Sequence, residues 1–282
     1  MPSPNDLPFM LQLADDPSET VQHSLGAGFS AFGPELDTLL AALEPPATHE
    51  QRLRVRHLVQ DYQREWLREQ WPTWFSLPGE RERLEKAMSL IVGFQDGPSV
   101  APRMGELLDG IANDFFNTLG EHNPLTLAKY LFHTRGLAGA EPDYWLPQNS
   151  NLRHVIESRR GIPISLSIIY VLLAHRLGYE VTACNWPKHF LATAWHEGEH
   201  YVIDGFRGGQ CVEVESFLNQ QGPSRDAARQ LLTTDTPSEL IIGRVLNNLV
   251  RQYQYIEHFT NAQLMTELLK DIDRRQHTRA PR

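Results

Sequence analysis

Gly161, His189 and Asp204 follow one another in an order that has a mechanical meaning. The stretch "RRGIPISLSIIYVLLAHRLG", from Arg159 to Gly178, places a turn signal at Gly161 ahead of an apolar helical run. A nucleophile at a helix N-terminus gains from the positive end of the dipole and from free N–H groups, which depress a thiol pKa and cradle an oxyanion. A histidine from a neighbouring strand then acts as base, and an acid orients its other ring nitrogen. "KHFLATAW" supplies His189 and "HYVIDGF" supplies Asp204. If the two segments form a hairpin, Asp204 shares a face with His189 when it pairs with Leu191 or His189; a shift of one residue separates them.

The nucleophile itself is the open position. Ser165 lies near the start of the helix and would need activation by His189; the competing reading makes Ser165 and Ser167 first-turn residues that satisfy helix backbone groups. Cys184, in the strand after the helix, and Cys211, beyond the hairpin, read as small buried hydrophobes. Metal binding has little support, because "HEGEH" puts His196 and His200 around Glu197 and Glu199 in a turn, without the helical spacing of a zinc motif. No cofactor is implied. Glu157, Arg159 and Arg160 precede the helix, with Asn149 and Ser150 at an expected N-cap; they would brace the site entrance, pair with one another or hold an anion.

These residues need elements to position them. The run after Gly161 is apolar on nearly every face, so it should be buried on all sides. "EVTAC", "HFLATAW" and "HYVIDGF" read as short strands, the last two forming an antiparallel hairpin. Upstream the pattern is helical: a short piece from Glu35 to Leu43, stopped by Pro45 and Pro46, then a helix opened by a capping box at Thr48 and Gln51. That helix sets Val55, Leu58, Val59, Tyr62 and Trp66 on one stripe, and Trp66, Trp71 and Trp74 read as packing residues. Helices over Arg81–Val92, Arg103–Leu119 and Pro124–Thr134 follow. Downstream come helices at Glu213–Asn219, Ser238–Gln252 and Ile256–Asp273, with a Gly/Pro/Ser loop at 222–224 and a polar, frayed tail. Residues 1–34 read as a flexible lead-in.

With 282 residues, 41% hydrophobic and 22% charged, the chain has ordinary globular composition. A formal net charge of −9 disfavours nucleic acid and anionic lipid as partners. The cluster Arg52, Arg54, Arg56, Arg64 and Arg68 is interleaved with Asp61, Glu65 and Glu69, which reads as a solvated helix face. Two cysteines are too few for a disulfide framework. Together with the lack of a basic-then-apolar leader or a run of about 20 apolar residues, this leads us to expect a cytoplasmic protein with no membrane span.

"NSNLRHVIESRRGIPISLSIIYVLLAHRLG", followed by "KHFLATA" and "HYVIDGFRGG", resembles the SirB-type transglutaminase-like family of bacterial proteins, which is also related to a module in certain F-box proteins. The resemblance spans roughly residues 123–209. It implies an α+β fold: a helical N-terminal region (35–122), a transglutaminase/papain-like core with a small antiparallel sheet packed on a central helix (123–222), and a tetratricopeptide-like helical extension (223–282). It places His189 and Asp204 on the second and third triad positions and Pro163 on the nucleophile position, and it marks Glu157, Arg160 and the turn from Gly161 to Ser165 as signature positions. Lys188 replaces the family's small residue before the histidine, and Gly205 stands where proline is common. The implied function is a binding or regulatory module without cysteine-dependent chemistry, with a protein or peptide partner. The alternatives are a hydrolase or acyltransferase using Ser165 or a His189-activated water, and an interaction scaffold built on the helical ends.

Overall fold

The computed structural model describes residues 2–118, 120–187, 189–220 and 225–279. Lys188, the 222–224 loop and the last residues of the tail, all singled out above, lie outside them. The chain folds as two compact units, one of residues 1–76 with 86–104 and one of residues 77–85 with 105–282.

In the first unit, helices α1 (Leu7–Gln12), α2 (Glu19–Ser30) and α3 (Leu36–Ala41) precede the long α4 (His49–Gln70). The expectation of a flexible lead-in over residues 1–34 is corrected here: Leu7 and Phe29 are fully buried, packing with Leu25, Leu40, Val55 and Leu58. The apolar residues of this stretch are sparse but fall at helical spacing, and tertiary burial compensates for its prolines and glycines. Gly26 permits a close crossing, since a Cβ there would sit 2.7 Å from the Leu58 carbonyl oxygen. The capping box of α4 forms, with Gln51 N–H donating to the Thr48 hydroxyl (3.2 Å) and Thr48 N–H to Gln51 Oε1 (2.9 Å). Its arginines pair with acids, Arg54 with Glu50 and Arg56 with Asp37. Trp71 and Trp74 are buried edge to face at 5.7 Å, which places both in packing. Helix α5 (Glu80–Asp96) runs from the second unit into the first, and α6 (Arg103–Thr118) runs back.

The second unit is built on α9 (Pro163–Arg176). It is reached through α7 (Pro124–Lys129), a π-turn over Tyr130–Thr134 and α8 (Leu152–Ser158). Every α9 residue from Pro163 to Ala174 is buried, as the apolar run required. All but one of its polar groups are satisfied: Tyr170 donates its hydroxyl to the Pro124 carbonyl (3.0 Å), Arg176 pairs with Glu85 and Asp109, and His175 meets the Val181 carbonyl through Nε2 (2.9 Å) while its buried Nδ1 has no partner. A two-residue parallel ladder, β1 (Ala138–Gly139) on β2 (Arg160–Gly161), sits at its N-terminal approach; neither strand is long enough to show a period in sequence.

The sheet is an antiparallel meander in the order β3 (Val181–Cys184), β4 (Leu191–His196), β5 (Glu199–Asp204), β6 (Gln210–Glu213). The "HEGEH" segment is a two-residue hairpin turn, with His196 paired to Glu199 and positive φ at Glu197 (51°) and Gly198 (84°), as tight hairpins require. β6 was not expected, and Glu213 ends it instead of starting a helix; the helix α10 covers Val214–Leu218. On one face of the sheet Cys184, Leu191 and Val202 cluster with Leu218 of α10 and Leu232 of α11 (Arg225–Thr233). The last helices, α12 (Ser238–Tyr255) and α13 (Phe259–Arg279), pair with each other and fall in the same unit as the sheet, so the boundary expected at 222/223 does not separate a unit of its own.

Candidate functional site

At the start of α9, Pro163 occupies the first helical position, where its missing N–H costs nothing. Ser165 is 1% exposed, and its Oγ accepts the Ile162 N–H at 3.1 Å. The same oxygen lies 2.8 Å from the Asn149 carbonyl and 2.9 Å from that of Ile162. Its single proton goes to one of these, so the hydroxyl acts as a cap that ties the helix to the preceding loop. Gly161 is forced by contact: a Cβ would sit 2.7 Å from Val155 Cγ1 and 2.8 Å from Ser165 Oγ.

The residues before the helix are arranged differently from the expectation. The N-cap of α8 is Asn151, whose side chain accepts the His154 N–H at 3.2 Å. Asn149 and Ser150 are buried, with Asn149 donating to the Asp143 carbonyl and Ser150 Oγ to Gln252 Oε1 at 2.8 Å. Glu157 pairs with Arg153 (2.8 Å) and not with Arg159 or Arg160. Arg160 donates to the carbonyls of Gly136 and Arg159, and Arg159 ends α8 in the left-handed region at φ 61°.

His189 and Asp204 come together. The β4–β5 register pairs Ala192 with Ile203, so Asp204 continues opposite Leu191, the parity that puts it on the His189 face. His189 lies two residues before β4, and its Nε2 is 2.8 Å from Asp204 Oδ2. The other carboxylate oxygen accepts the N–H groups of Phe206 and Arg207, each at 3.1 Å. Burial raises the Asp204 pKa, but the His189 hydrogen bond and charge, with Arg207, outweigh it and hold the carboxyl below its ordinary value. An ionised carboxylate only accepts, so Nε2 carries the hydrogen of this bond. No described residue bonds Nδ1, and the His189 side chain is 25% exposed. The pair thus presents an oriented imidazole, the arrangement a general base needs.

The loop holding Asp204 is packed tightly. A Cβ on Gly205 would lie 2.8 Å from Phe132 Cζ and 3.3 Å from Leu166 Cβ, and one on Gly209, at φ 74°, would overlap the same ring. Phe132 sits on the π-turn; this supporting ring was missed in the sequence because its role depends on contact across 70-odd residues and not on spacing. Phe206, edge-on to His189 at 6.2 Å, and Arg207 were visible only as part of the quoted "DGFRGG". Cys184 is buried as expected, whereas Cys211, on the short exposed strand β6, is exposed and corrects the expectation of a buried hydrophobe; neither thiol is activated, desolvation pushing Cys184 up to about 12 and Cys211 up to about 11. Among the described residues no group of three or more His, Cys, Asp or Glu side chains could hold a metal.

A buried helix packed on a small antiparallel sheet, with a histidine and an aspartate meeting at one end of its two inner strands, defines the transglutaminase/papain-like class of α+β cores. The chain belongs to the transglutaminase-like superfamily, whose family model matches residues 103–247. It is 33% identical over 149 residues to a UPF0162 protein of Xylella fastidiosa, covering 49% of this chain and 53% of that one. It is 28% identical over 138 residues to a UPF0162 protein of Vibrio cholerae, covering 47% and 50%. A shorter match, 33% over 86 residues, is to human F-box only protein 21, covering 27% of this chain and 14% of that protein. The chain therefore spans about half the length of the curated relatives it matches. No solved structure matches it.

Proposed function

We propose that this chain is a binding or regulatory member of its superfamily that performs no covalent acyl transfer. In this reading the His189–Asp204 pair serves as a fixed polar contact for a protein or peptide. The observation that carries it is the first turn of α9: Pro163 offers no nucleophile, and the Ser165 hydroxyl accepts the Ile162 N–H and gives its one proton to the Asn149 or the Ile162 carbonyl. The raised thiols of Cys184 and Cys211 support it. Among the binding candidates, Asn149, Gly161 and Pro163 hold the helix start, Glu157 holds α8, and exposed Arg160 offers charge to a ligand. The finer placement in the SirB-type branch, and a cytoplasmic setting, rest on the sequence motifs and composition; among the described residues no helix is long and apolar enough to cross a membrane.

Fluorophosphonate, iodoacetamide and glutamine-peptide acyl-donor probes test the reading. We expect no stoichiometric acyl-enzyme on any serine or thiol. Labelling that disappears in both Ser165→Ala and His189→Ala, or an acyl group on Cys184, would overturn it. A second reading, hydrolysis by water activated at His189, is favoured by the free Nδ1 and by the ring's exposure. Ester turnover lost in His189→Ala but kept in Ser165→Ala is its signature.

A further inference from the structure

We infer that Arg244 of α12 is a positioning residue for His189: its guanidinium holds the segment that carries the imidazole, so that Nε2 meets Asp204. The inference rests on the proposed function in taking the His189–Asp204 pair as the working contact, and it adds which residue sets the geometry of that contact.

The two members of the pair are held by different parts of the chain. Asp204 ends β5 and is fixed by its own turn, through the N–H groups of Phe206 and Arg207. His189 lies in the connection 185–190 between β3 and β4, where the ladder does not fix it. A connection outside a ladder keeps one geometry only where other groups bind its backbone.

Arg244 supplies that binding. Its Nη1 donates to Asn185 Oδ1 and, at 2.9 Å, to the Trp186 carbonyl. The same carbonyl accepts the His189 N–H at 3.1 Å, so one oxygen, with a lone pair for each donor, stands between the guanidinium and the backbone of the histidine. The guanidinium carbon lies 5.5 Å from the centre of the buried Phe190 ring, a cation–π contact. Phe190 follows His189 directly, and its carbonyl accepts the Ser167 hydroxyl of α9 at 3.2 Å. Arg244 thus grips the connection before and after the histidine, and α9 secures its far end.

The grip needs a guanidinium. Arg244 is half-buried and meets no carboxylate among the described residues; burial lowers its pKa from the ordinary arginine value, as for any cation taken from water without a counter-ion. Exchanging buried charge for apolar groups is often neutral for stability, so what the charged group adds is direction: a flat face for the Phe190 ring and N–H groups aimed at two oxygens at fixed angles. Lysine keeps the charge without the plane. A displacement of about 1 Å in the imidazole would break its 2.8 Å bond to Asp204, and α12 controls that displacement through this side chain.

NMR on the full chain tests this, with ring-labelled histidine to read the His189 Nε2 proton and carbon detection to follow the Asp204 carboxyl. In Arg244→Lys the Nε2 proton should exchange with water about tenfold faster, the loss of about one hydrogen bond to a charged group. Asp204, released from the contact that holds it below its ordinary value, should titrate closer to that value. Asn185→Ala, which leaves α12 intact, should move both readouts the same way, with exchange about threefold faster. Leu249→Ala, in the buried face of the same helix, should lower the melting temperature and leave both readouts native. Native readouts in a folded Arg244→Lys, native readouts in Asn185→Ala, or an equal displacement in Leu249→Ala each overturn the inference; if Arg244→Lys does not fold, the other two variants decide it. The two proposals fail separately: stoichiometric acyl labelling with a displaced Nε2 proton in Arg244→Lys sinks the non-catalytic reading alone, and no labelling with a native Nε2 proton sinks the positioning role alone.

Discussion

Ser165 shows how one hydroxyl resolves between two roles. A nucleophilic serine needs its proton aimed at a base, whereas here the oxygen receives the Ile162 N–H and gives its proton to a backbone carbonyl. Ser165→Ala would strand a buried N–H and carbonyl, so we expect a loss of about 1–3 kcal/mol in urea unfolding. The Asp204 carboxyl gives a pH signature. Its folded pKa lies below the unfolded value, so its contribution is fully present above the ordinary carboxylate range and is lost as pH falls through the folded value. The urea midpoint should fall with pH below about 4 more steeply in the native chain than in Asp204→Asn; parallel profiles would remove the stabilising role of the pair. At this scale the sequence was informative because strand parity is binary: once the two-residue turn at Glu197 and Gly198 forms, Asp204 must fall opposite Leu191. The caps were less legible, since Asn149, Ser150 and Asn151 are equally suitable chemically and only the bend of the chain selects Asn151.

The elements read most easily were those whose pattern is redundant. Helix α9 is apolar throughout, and α4 carries both a capping box and a full stripe. The elements that escaped are short or stabilised from outside. β6 is four residues long and mostly exposed, so no alternation marks it; its existence depends on β5 offering a free edge. α11 has only Ala228 and Leu232 buried, both against the sheet. α1 and α2 contain prolines and glycines whose cost is met by packing on α4. The turn after β5 depends on glycines that the sequence shows as "GFRGG" without saying what crowds them. Gly209→Ala would force a Cβ into the Phe132 ring at a positive φ, so we expect a loss of about 1–3 kcal/mol. Because the Gly209 N–H bonds the Asp204 carbonyl at 2.9 Å, the substitution should also broaden the His189 ring resonances in NMR. A chain with native stability and an unchanged His189 spectrum would contradict the idea that the Phe132 contact fixes the acid.

For the second unit as a whole, the question is whether the C-terminal helices are an appendage or part of the core. A scaffold reading treats them as detachable, because helical hairpins at chain ends often are. The bonding argues otherwise: Gln252 is buried and bonds both Ser150 and the Tyr144 carbonyl, and Arg244 donates to Asn185 and to the Trp186 carbonyl ahead of His189. The first turn of α12 is tied to α5 through the Ser238 N–H on Glu80. Leu246 and Leu249 are fully buried, so Leu249→Ala should cost about 2–5 kcal/mol. Gln252→Leu should cost about 1–3 kcal/mol by leaving the Ser150 hydroxyl and a carbonyl without partners. Removing residues 238–282 takes away all of these together, and we expect the near-UV circular dichroism and cooperative melting of the sheet and α9 to vanish with them. An independent appendage predicts the opposite, a truncated chain that melts cooperatively at the same temperature. The sequence could not decide this, since the helical periodicity of α12 is the same whether its buried face meets only α13 or also the core; the decisive partners, Ser150 and Tyr144, lie about a hundred residues away and become neighbours only when the unit closes.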